Sequence, residues 1–305
     1  MYFSICIPAY NRADTISRTL DSLIRQSFTD FEVIIVDDGS KDNTREVVSS
    51  YKPKLNIKYN YKENGGKHTA LNRGISEAQG IFFMILDSDD WLVDNGLEIM
   101  HDLCEKIVGD DRYSGVLCRC INLATNKIMG DDIPRGYESL SYIDMHFRLR
   151  HKGIELGDCC ECNKTSILKK YRFPEEVGMK FVPEAYIFDQ IGVHYKLLSS
   201  NQGIKICEYL EGGITLDKQF KRKNNTGYLY HYISRIENIL PNIEHTKKDE
   251  VIAWWRYWDC VNQAPEKEGP RVNNISKLGY FVKACMPLLN TIYRVRYKDI
   301  YRSGR

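Results

Sequence analysis

Three carboxylates fall within four residues at Asp87-Ser88-Asp89-Asp90, directly after the apolar run Ile81 to Leu86. Like charges this close repel, so at the end of a buried strand they call for a partner. A divalent cation supplies one. Hard oxygen ligands suit Mg²⁺ or Mn²⁺, ions that bind diphosphates through a few carboxylates together with phosphate oxygens. The plainer alternative is a solvated turn that caps the next helix. A second acidic cluster, Asp37-Asp38-Gly39-Ser40, follows the run Phe31 to Val36. An aspartate there can accept the imide N–H of a pyrimidine base, although Asp, Gly and Ser also make ordinary turns. Asn64-Gly65-Gly66-Lys67 precedes a helix-like stretch containing Asn72 and Arg73. Glycines permit close backbone approach, a helix N-terminus favours anions, and Lys67 can offset diphosphate charge.

These clusters need elements that bring them together. The first hundred residues alternate between short apolar runs and helix-like stretches. Strands are expected at Phe3 to Ile7, Phe31 to Val36, Ile57 to Tyr61 and Ile81 to Leu86. Helices are expected at Thr15 to Ser27 with Asp14 as N-cap, at Asn43 to Tyr51, at His68 to Ala78, and from Asp94 to about Val108. Such alternation implies parallel βαβ units, and near-continuous apolar strands fit a sheet covered on both faces. Ligands of such sheets bind beyond the carboxyl ends of the strands. Tyr10-Asn11-Arg12, Asp37 to Ser40 and Asp87 to Asp90 all fall there. From Ser114 to Leu198 the pattern is less regular, with a strand expected in Val116 to Leu123 and a helix in Ile187 to Leu198. From Gly227 onward it is mostly helical, with a break at Gly269-Pro270.

A chain of 305 residues, 43% hydrophobic and 28% charged, can bury a substantial core. Its net charge of +2 gives no global field for nucleic acid. No run approaches the ~20 apolar residues of a membrane span, and the N-terminus lacks the pattern of a signal peptide. The ten cysteines form no regular framework, and a reducing cytoplasmic setting is expected. Cys118 and Cys120 fall on one strand face, which reads as packing, and Cys159, Cys160 and Cys162 do not match zinc-ligand spacing. Trp254, Trp255 and Trp258 read as helical core or subunit contact.

Taken in order, Ile5 to Arg12, Val36 to Asp42, Asn64 to Gly66, Leu71 to Ile75 and Leu86 to Asp90 resemble the family-two glycosyltransferases of GT-A fold. These include the enzymes that build bacterial polysaccharides, capsules and O-antigens. The resemblance covers roughly residues 1 to 110. It implies inverting transfer from a nucleoside-diphosphate sugar, a UDP-sugar being favoured. The donor-binding set it suggests is Pro8, Tyr10, Asn11, Arg12, Asp38, Gly66, Lys67, Asn72, Asp87 and Ser88. It places Tyr10 against the base, Asp38 in a bond to it, Asp87 by the ribose or sugar, and Asp89 on the Mn²⁺ or Mg²⁺. A catalytic carboxylate often stands in a Glu-Asp pair further on. Here the corresponding stretch is Phe181 to Asp189, where Ala185 replaces the second acid. Glu184 is the favoured base and Asp189 the alternative.

The expected organisation is a donor-binding half at 1–110, an acceptor-side half of the same GT-A domain at 111–225, and a helical extension at 226–305. From Arg271 to Arg305 eight Lys or Arg face a single acid, Asp299. Phe281, Ala284, Leu288, Ile292 and Val295 recur there at helical spacing. Lys277, Lys283, Arg294, Arg296, Lys298, Arg302 and Arg305 flank them, and Pro287 is expected to kink or divide the helix. An apolar face beside basic residues suits an anionic membrane surface, on the inner face of the cell membrane, where a lipid-linked acceptor lies. A packed terminal helix is the plainer reading. Two other functions share the fold: a sugar-1-phosphate nucleotidyltransferase, disfavoured by Pro8-Ala9-Tyr10-Asn11 after the first strand, and a non-catalytic membrane-associated nucleotide-sugar-binding subunit, for which Ala185 is the support.

Overall fold

The computed structural model describes residues 1–208, 219–263 and 269–296, the last five as backbone only. Two compact units divide the chain, Met1–Lys218 and Gln219–Arg305.

The first unit is a central sheet flanked by helices. Its first half runs β1 (Phe3–Ala9), α1 (Ile16–Ile24), β2 (Phe31–Asp37), α2 (Thr44–Tyr51), β3 (Ile57–Tyr61), α3 (Lys67–Glu77), β4 (Phe82–Ile85), β5 (Trp91–Leu92) and α4 (Gly96–Glu105). β1 and β2 are buried along their whole length, as strands covered on both faces must be. β1 pairs in parallel with β2 on one side and β4 on the other, and β2 with β3. The chain therefore reverses its direction of growth at β1, and the carboxyl ends of β1, β2 and β4 open on one edge. That is the topological switch point where such sheets bind ligands.

The second half adds β6 (Tyr113–Asn122), β7 (Lys127–Ile128), β8 (Ser139–Leu140), a π-helical turn at Asp144–Arg148, α5 (Leu149–His151), β9 (Cys159–Lys164), α6 (Thr165–Leu168), α7 (Ala185–His194) and β10 (Lys196–Cys207). The main strand order is β3-β2-β1-β4-β9-β6-β10-β5. β9 runs antiparallel between β4 and β6, so the sheet is mixed beyond β4. Cys118 and Cys120 pack with Cys160 and Cys162 in the core beneath the sheet.

Several expected boundaries move. The first helix begins after Thr15, with no side-chain cap from Asp14. The fourth begins at Gly96, because Asp94 instead pairs with Arg25 at 2.9 Å. The expected helix from Ile187 to Leu198 ends at His194, and Leu197 and Leu198 belong to β10, parallel to β6. Burial of Leu197 against a neighbouring strand imitates one more helical turn in the sequence.

The second unit contains α8 (Phe220–Lys223), α9 (Asn225–Ser234), α10 (Lys247–Gln263), α11 (Lys277–Ala284) and α12 (Met286–Arg296). Pro287 stands in the first turn of α12, and the helices divide at Cys285. Trp254, Tyr257, Trp258, Val282 and Met286 form its core. Lys298, Arg302 and Arg305, and the side chains of Ile292, Arg294, Val295 and Arg296, lie outside the described residues. No described helix is long and apolar enough to cross a membrane.

Arg119 on β6 is fully buried without a carboxylate partner among the described residues. Its guanidinium donates to the carbonyls of Met129 and Leu156 and to Asn201, pinning two loops of the second half of this unit. Arg119→Met should cost about 2–4 kcal/mol, because buried carbonyls lose their donor. Urea unfolding measures this. A change below about 0.5 kcal/mol, the usual scatter of surface substitutions, would show that water takes over those carbonyls.

Candidate active site

The turns that follow β1 and β2 are tied to each other. Asn11 adopts a left-handed backbone with φ of 51°. Its amide oxygen accepts from the Lys41 N–H at 2.8 Å, and its own N–H donates to Ser40 Oγ at 2.9 Å. Tyr10 stands beside this knot, 43% exposed, with its ring available to a ligand. Pro8 lies within β1 opposite Val36.

Asp38 is buried, and its carboxylate is satisfied by protein. It accepts from the Lys62 ammonium at 2.6 Å, the Gly65 N–H at 2.8 Å and the Gly66 N–H at 2.7 Å. The end of β2 thereby fixes the glycine turn that starts α3. Gly66 has φ of +95°, and a Cβ there would stand 2.0 Å from the Lys180 carbonyl oxygen. Only glycine fits that position.

Lys67, the first residue of α3, follows directly. Its ammonium lies 2.7 Å from Asp87 Oδ1 and 2.8 Å from Glu184 Oε1. Burial opposes the charge, but the two carboxylates outweigh it and hold the lysine pKa well above its usual range. Asp87 answers in kind: burial raises its pKa, yet Lys67, Lys205 and Arg12 bring it below the ordinary carboxylate value. Asp90 turns inward to Lys205 at 3.2 Å, with burial pushing its pKa up. Asp89 meets Arg12 only at 4.0 Å and is 25% exposed at its side chain. The three crowded acids are thus separated, each toward a different cation.

The carboxylates fit a divalent ion held jointly with a donor. Asp89 is the one whose charge is least engaged by protein, and Asp87 stands two residues before it. Among the described residues no group of three His, Cys, Asp or Glu forms a complete metal cage. Magnesium-type sites that share phosphate oxygens need only one or two carboxylates from protein.

Glu184 sits at the start of α7 with its side chain 27% exposed, facing Lys67. Asp189 lies further along the same helix, 1% exposed, against His146 Nδ1 in the π-helical turn. Asn72 is turned away from the edge: its amide holds the Phe173 backbone and Glu175. Ser88 is buried in the acidic turn. The structure therefore gathers Tyr10, Asn11, Arg12, Gly66, Lys67, Asp87, Asp89 and Glu184 at one edge. Asp38 and Asn72 brace it from behind.

Two further groups were not singled out from sequence. His68 is fully buried with neither ring nitrogen hydrogen-bonded, and burial lowers its pKa to about 4. Glu161 projects from β9 into a small cavity lined by Phe83, Ile85, Asn163 and Phe188. Burial pushes its carboxyl up to about 7 against the pull of Lys205, with Asp158 and Glu184 adding repulsion. One acid alternating with buried cysteines was the available signal, hidden because Cys159 to Cys162 did not read as a strand.

The sequence profile described as "Glycosyl transferase family 2" matches residues 4–165. The chain belongs to this family. An uncharacterized glycosyltransferase of Rickettsia conorii is 43% identical over 110 residues, 35% of this chain and 18% of that protein. The poly(ribitol-phosphate) beta-N-acetylglucosaminyltransferase TarS of Staphylococcus aureus is 38% identical over 121 residues, 38% of this chain and 20% of that one. The chain thus matches only about a fifth of the length of these two curated relatives. In three dimensions, S. aureus TarS 1–349 in complex with UDP-GlcNAc superposes with a TM-score of 0.58 at 21% identity, covering 100% of this chain and 93% of that one. The mannosyltransferase PcManGT from Pyrobaculum calidifontis, in complex with GDP-Man and Mn²⁺, gives 0.55 at 18% identity over 95% and 80%. The fold is GT-A-like.

Glu161 sets a pH dependence. Its folded pKa lies above the unfolded value, so the folded state binds the extra proton between roughly pH 4.5 and 7. Stability is full below that window and falls as pH rises through it, by about 3 kcal/mol if the whole shift is expressed. His68, held neutral by burial, acts with the opposite sign in the same window, so Glu161→Gln should shift the change in urea midpoint between pH 5 and pH 8 toward greater stability at the higher pH. An equal pH difference in both proteins would refute the assignment.

Proposed function

We propose that this family-two enzyme is an inverting glycosyltransferase. It moves a sugar from a nucleoside-diphosphate sugar, UDP-linked by preference, to a hydroxyl of a glycan or lipid-linked acceptor. The observation that carries the reading is the Lys67 ammonium set between Asp87 and Glu184 at the carboxyl edge of the sheet. It brings a cation suited to diphosphate and a carboxylate suited to proton transfer to one place.

Tyr10 stacks on the base, above the turns that Asn11 and Asp38 hold together. Pro8, Gly66, Ser88 and the Asn72-braced segment shape the walls. Arg12 and Lys67 face the diphosphate, and Asp87 faces the ribose or sugar. Asp89, helped by Asp87, would hold Mn²⁺ or Mg²⁺, which supplies positive charge to the departing diphosphate. The Glu184 carboxylate takes the proton from the acceptor hydroxyl as that oxygen bonds to the anomeric carbon. The bond from that carbon to the diphosphate oxygen breaks on the opposite face, and its electron pair leaves with the diphosphate. Glu184 is preferred to Asp189 as base because Asp189 is buried against His146.

Glu184→Gln should lower turnover by ~10²–10⁴-fold with donor affinity near wild type. Asp89→Asn should abolish transfer and the Mn²⁺-dependent part of nucleoside-diphosphate binding. Turnover assays and calorimetry read these out. A large loss in Asp189→Asn with Glu184→Gln nearly active would exchange the roles, and unchanged metal-dependent affinity in Asp89→Asn would remove Asp89 from the site.

The acceptor side of the proposal includes an anionic membrane surface. On α11 and α12, Phe281 is 64% and Leu288 61% exposed, on a face with Ala284 and beside exposed Lys277 and Lys283. Val282 and Met286 point the other way, into the core. Full-length protein should sediment with anionic vesicles and be released by high salt, each basic residue contributing ~1 kcal/mol at low salt. The double variant Phe281→Ser/Leu288→Ser should lose that sedimentation without loss of fold. Equal sedimentation of both proteins would leave the face a plain surface.

A further inference from the structure

A cavity of about 510 Å³ opens within the C-terminal unit, between the segment Ile236–Pro241, the start and middle of α10, and residues 273–276. This volume falls in the ~300–1,000 Å³ range of small-ligand sites. None of its lining residues takes part in the donor edge.

One buried donor there has no acceptor. Trp254 lines the cavity and is only 4% exposed. Neighbouring indoles are satisfied: Trp255 donates to Asn290 at 2.9 Å and Trp258 to the Gly279 carbonyl at 2.9 Å. The Trp254 N–H makes no hydrogen bond among the described residues, yet it is not sealed from solvent as the protein's other unpaired buried atoms are. A buried indole N–H ordinarily finds a partner, and a ligand oxygen in this cavity can supply one.

Around it stand acceptors already fixed in place. Glu250 is held by His245 Nε2 at 3.0 Å and by Lys247 at 2.8 Å. Glu237 is held by the backbone and side chain of Asn273. Asn274 is exposed, and its amide bonds to nothing among the described residues. The remaining wall is apolar, built from Ile236, Leu240 and Pro241. No lysine or arginine is among the lining residues, and the lining His245 is already paired with Glu250, so the two carboxylates disfavour an anionic ligand. A free metal ion is poorly served, because both acids are already engaged in hydrogen bonds. An uncharged ligand with hydroxyl groups at its edge and C–H groups on its face matches the remaining donors, acceptors and apolar wall.

We propose that this cavity binds an uncharged stretch of glycan at a site separate from the donor edge. The inference rests on the glycosyltransferase reading for the source of that glycan, which is acceptor or product. A chain held here would stay with the enzyme between transfers, raising its local concentration without any new contact at the reacting centre.

The test uses the full chain with ¹⁵N-labelled tryptophan, whose four indole signals report each ring separately. The probes are neutral oligosaccharides of glucose, galactose, N-acetylglucosamine and N-acetylgalactosamine. The Trp254 signal, assigned by its loss in Trp254→Phe, is expected to shift saturably with at least one probe. Asn274→Ala, an exposed change that leaves the fold intact, and Glu250→Gln should each weaken that binding roughly fivefold, the worth of one hydrogen bond. Turnover of donor sugar to water should be unchanged in Asn274→Ala. No shift up to about 10 mM, a millimolar limit of ordinary weak binding, would overturn the proposal. So would a shift that Asn274→Ala and Glu250→Gln leave untouched, or a response to charged peptides or phosphorylated glycans in place of neutral ones. Repeating the titration in Glu184→Gln separates the two readings. If Glu184→Gln is fully active the catalytic assignment fails while the Trp254 shift stands, and if turnover depends on Glu184 but no probe shifts Trp254, the cavity inference fails alone.

Discussion

Lys67 is a cation at the N-terminus of a helix, the end where a positive charge is least welcome. Its placement between Asp87 and Glu184 reverses that disadvantage, and much of the site follows from it. The ammonium draws together the turn after β4, where Asp87 stands, and the N-cap of α7, Glu184, across more than a hundred residues of chain. Its own position depends on Gly66, and Gly66 on the two backbone hydrogen bonds accepted by Asp38. A charge at the end of β2 therefore sets the height of α3, α3 sets Lys67, and Lys67 sets the carboxylate proposed as base. Removing one partner of such a buried group leaves the others uncompensated, which is costlier than losing the pair.

The first half of the sheet was largely legible because its signals are local. Each apolar run ends in turn residues, and each turn carries the polar cluster that lies at the strand's carboxyl end. What escaped was long-range. Asp90 and Lys205 stand more than a hundred residues apart, and nothing near either announces the pair. β10 was read as the tail of a helix because Leu197 and Leu198 continue the apolar count of α7, and a short apolar run does not distinguish a helical turn from a strand. The strand Cys159–Lys164 was obscured by its cysteines, which drew attention as thiols while serving as small apolar packing. With the strand unseen, the isolation of Glu161 on its opposite face was invisible too.

The second unit is stabilised differently. Among the described residues it has no sheet, and its core is built from bulky aromatics, with Trp254 one turn before Tyr257 and Trp258 on α10. Large aromatic rings suit a unit of this size, since few residues must supply most of the buried area. They also carry polar handles, and where a handle has no acceptor a cavity is left with an unmet donor. The sequence showed the aromatic cluster and its core role. It did not show that one of three neighbouring indoles would be left unsatisfied, because that depends on Asn290 and Gly279 arriving from α12 and α11.

Charge at the donor edge gives a final reason to expect a divalent ion in the proposed reaction. With Asp90 neutralised by Lys205, three carboxylates, Asp87, Asp89 and Glu184, face two cations, Lys67 and Arg12. The edge is already anionic before any donor arrives. A diphosphate brings about two more negative charges into a partly buried site, where they are poorly screened. If Lys67 turned to the diphosphate, it would leave Asp87 and Glu184 facing each other unpaired. If it stayed, the diphosphate would meet only Arg12. A divalent cation on Asp89 relieves both difficulties at once, since it offsets the incoming charge and lets Lys67 stay between Asp87 and Glu184 as the diphosphate enters.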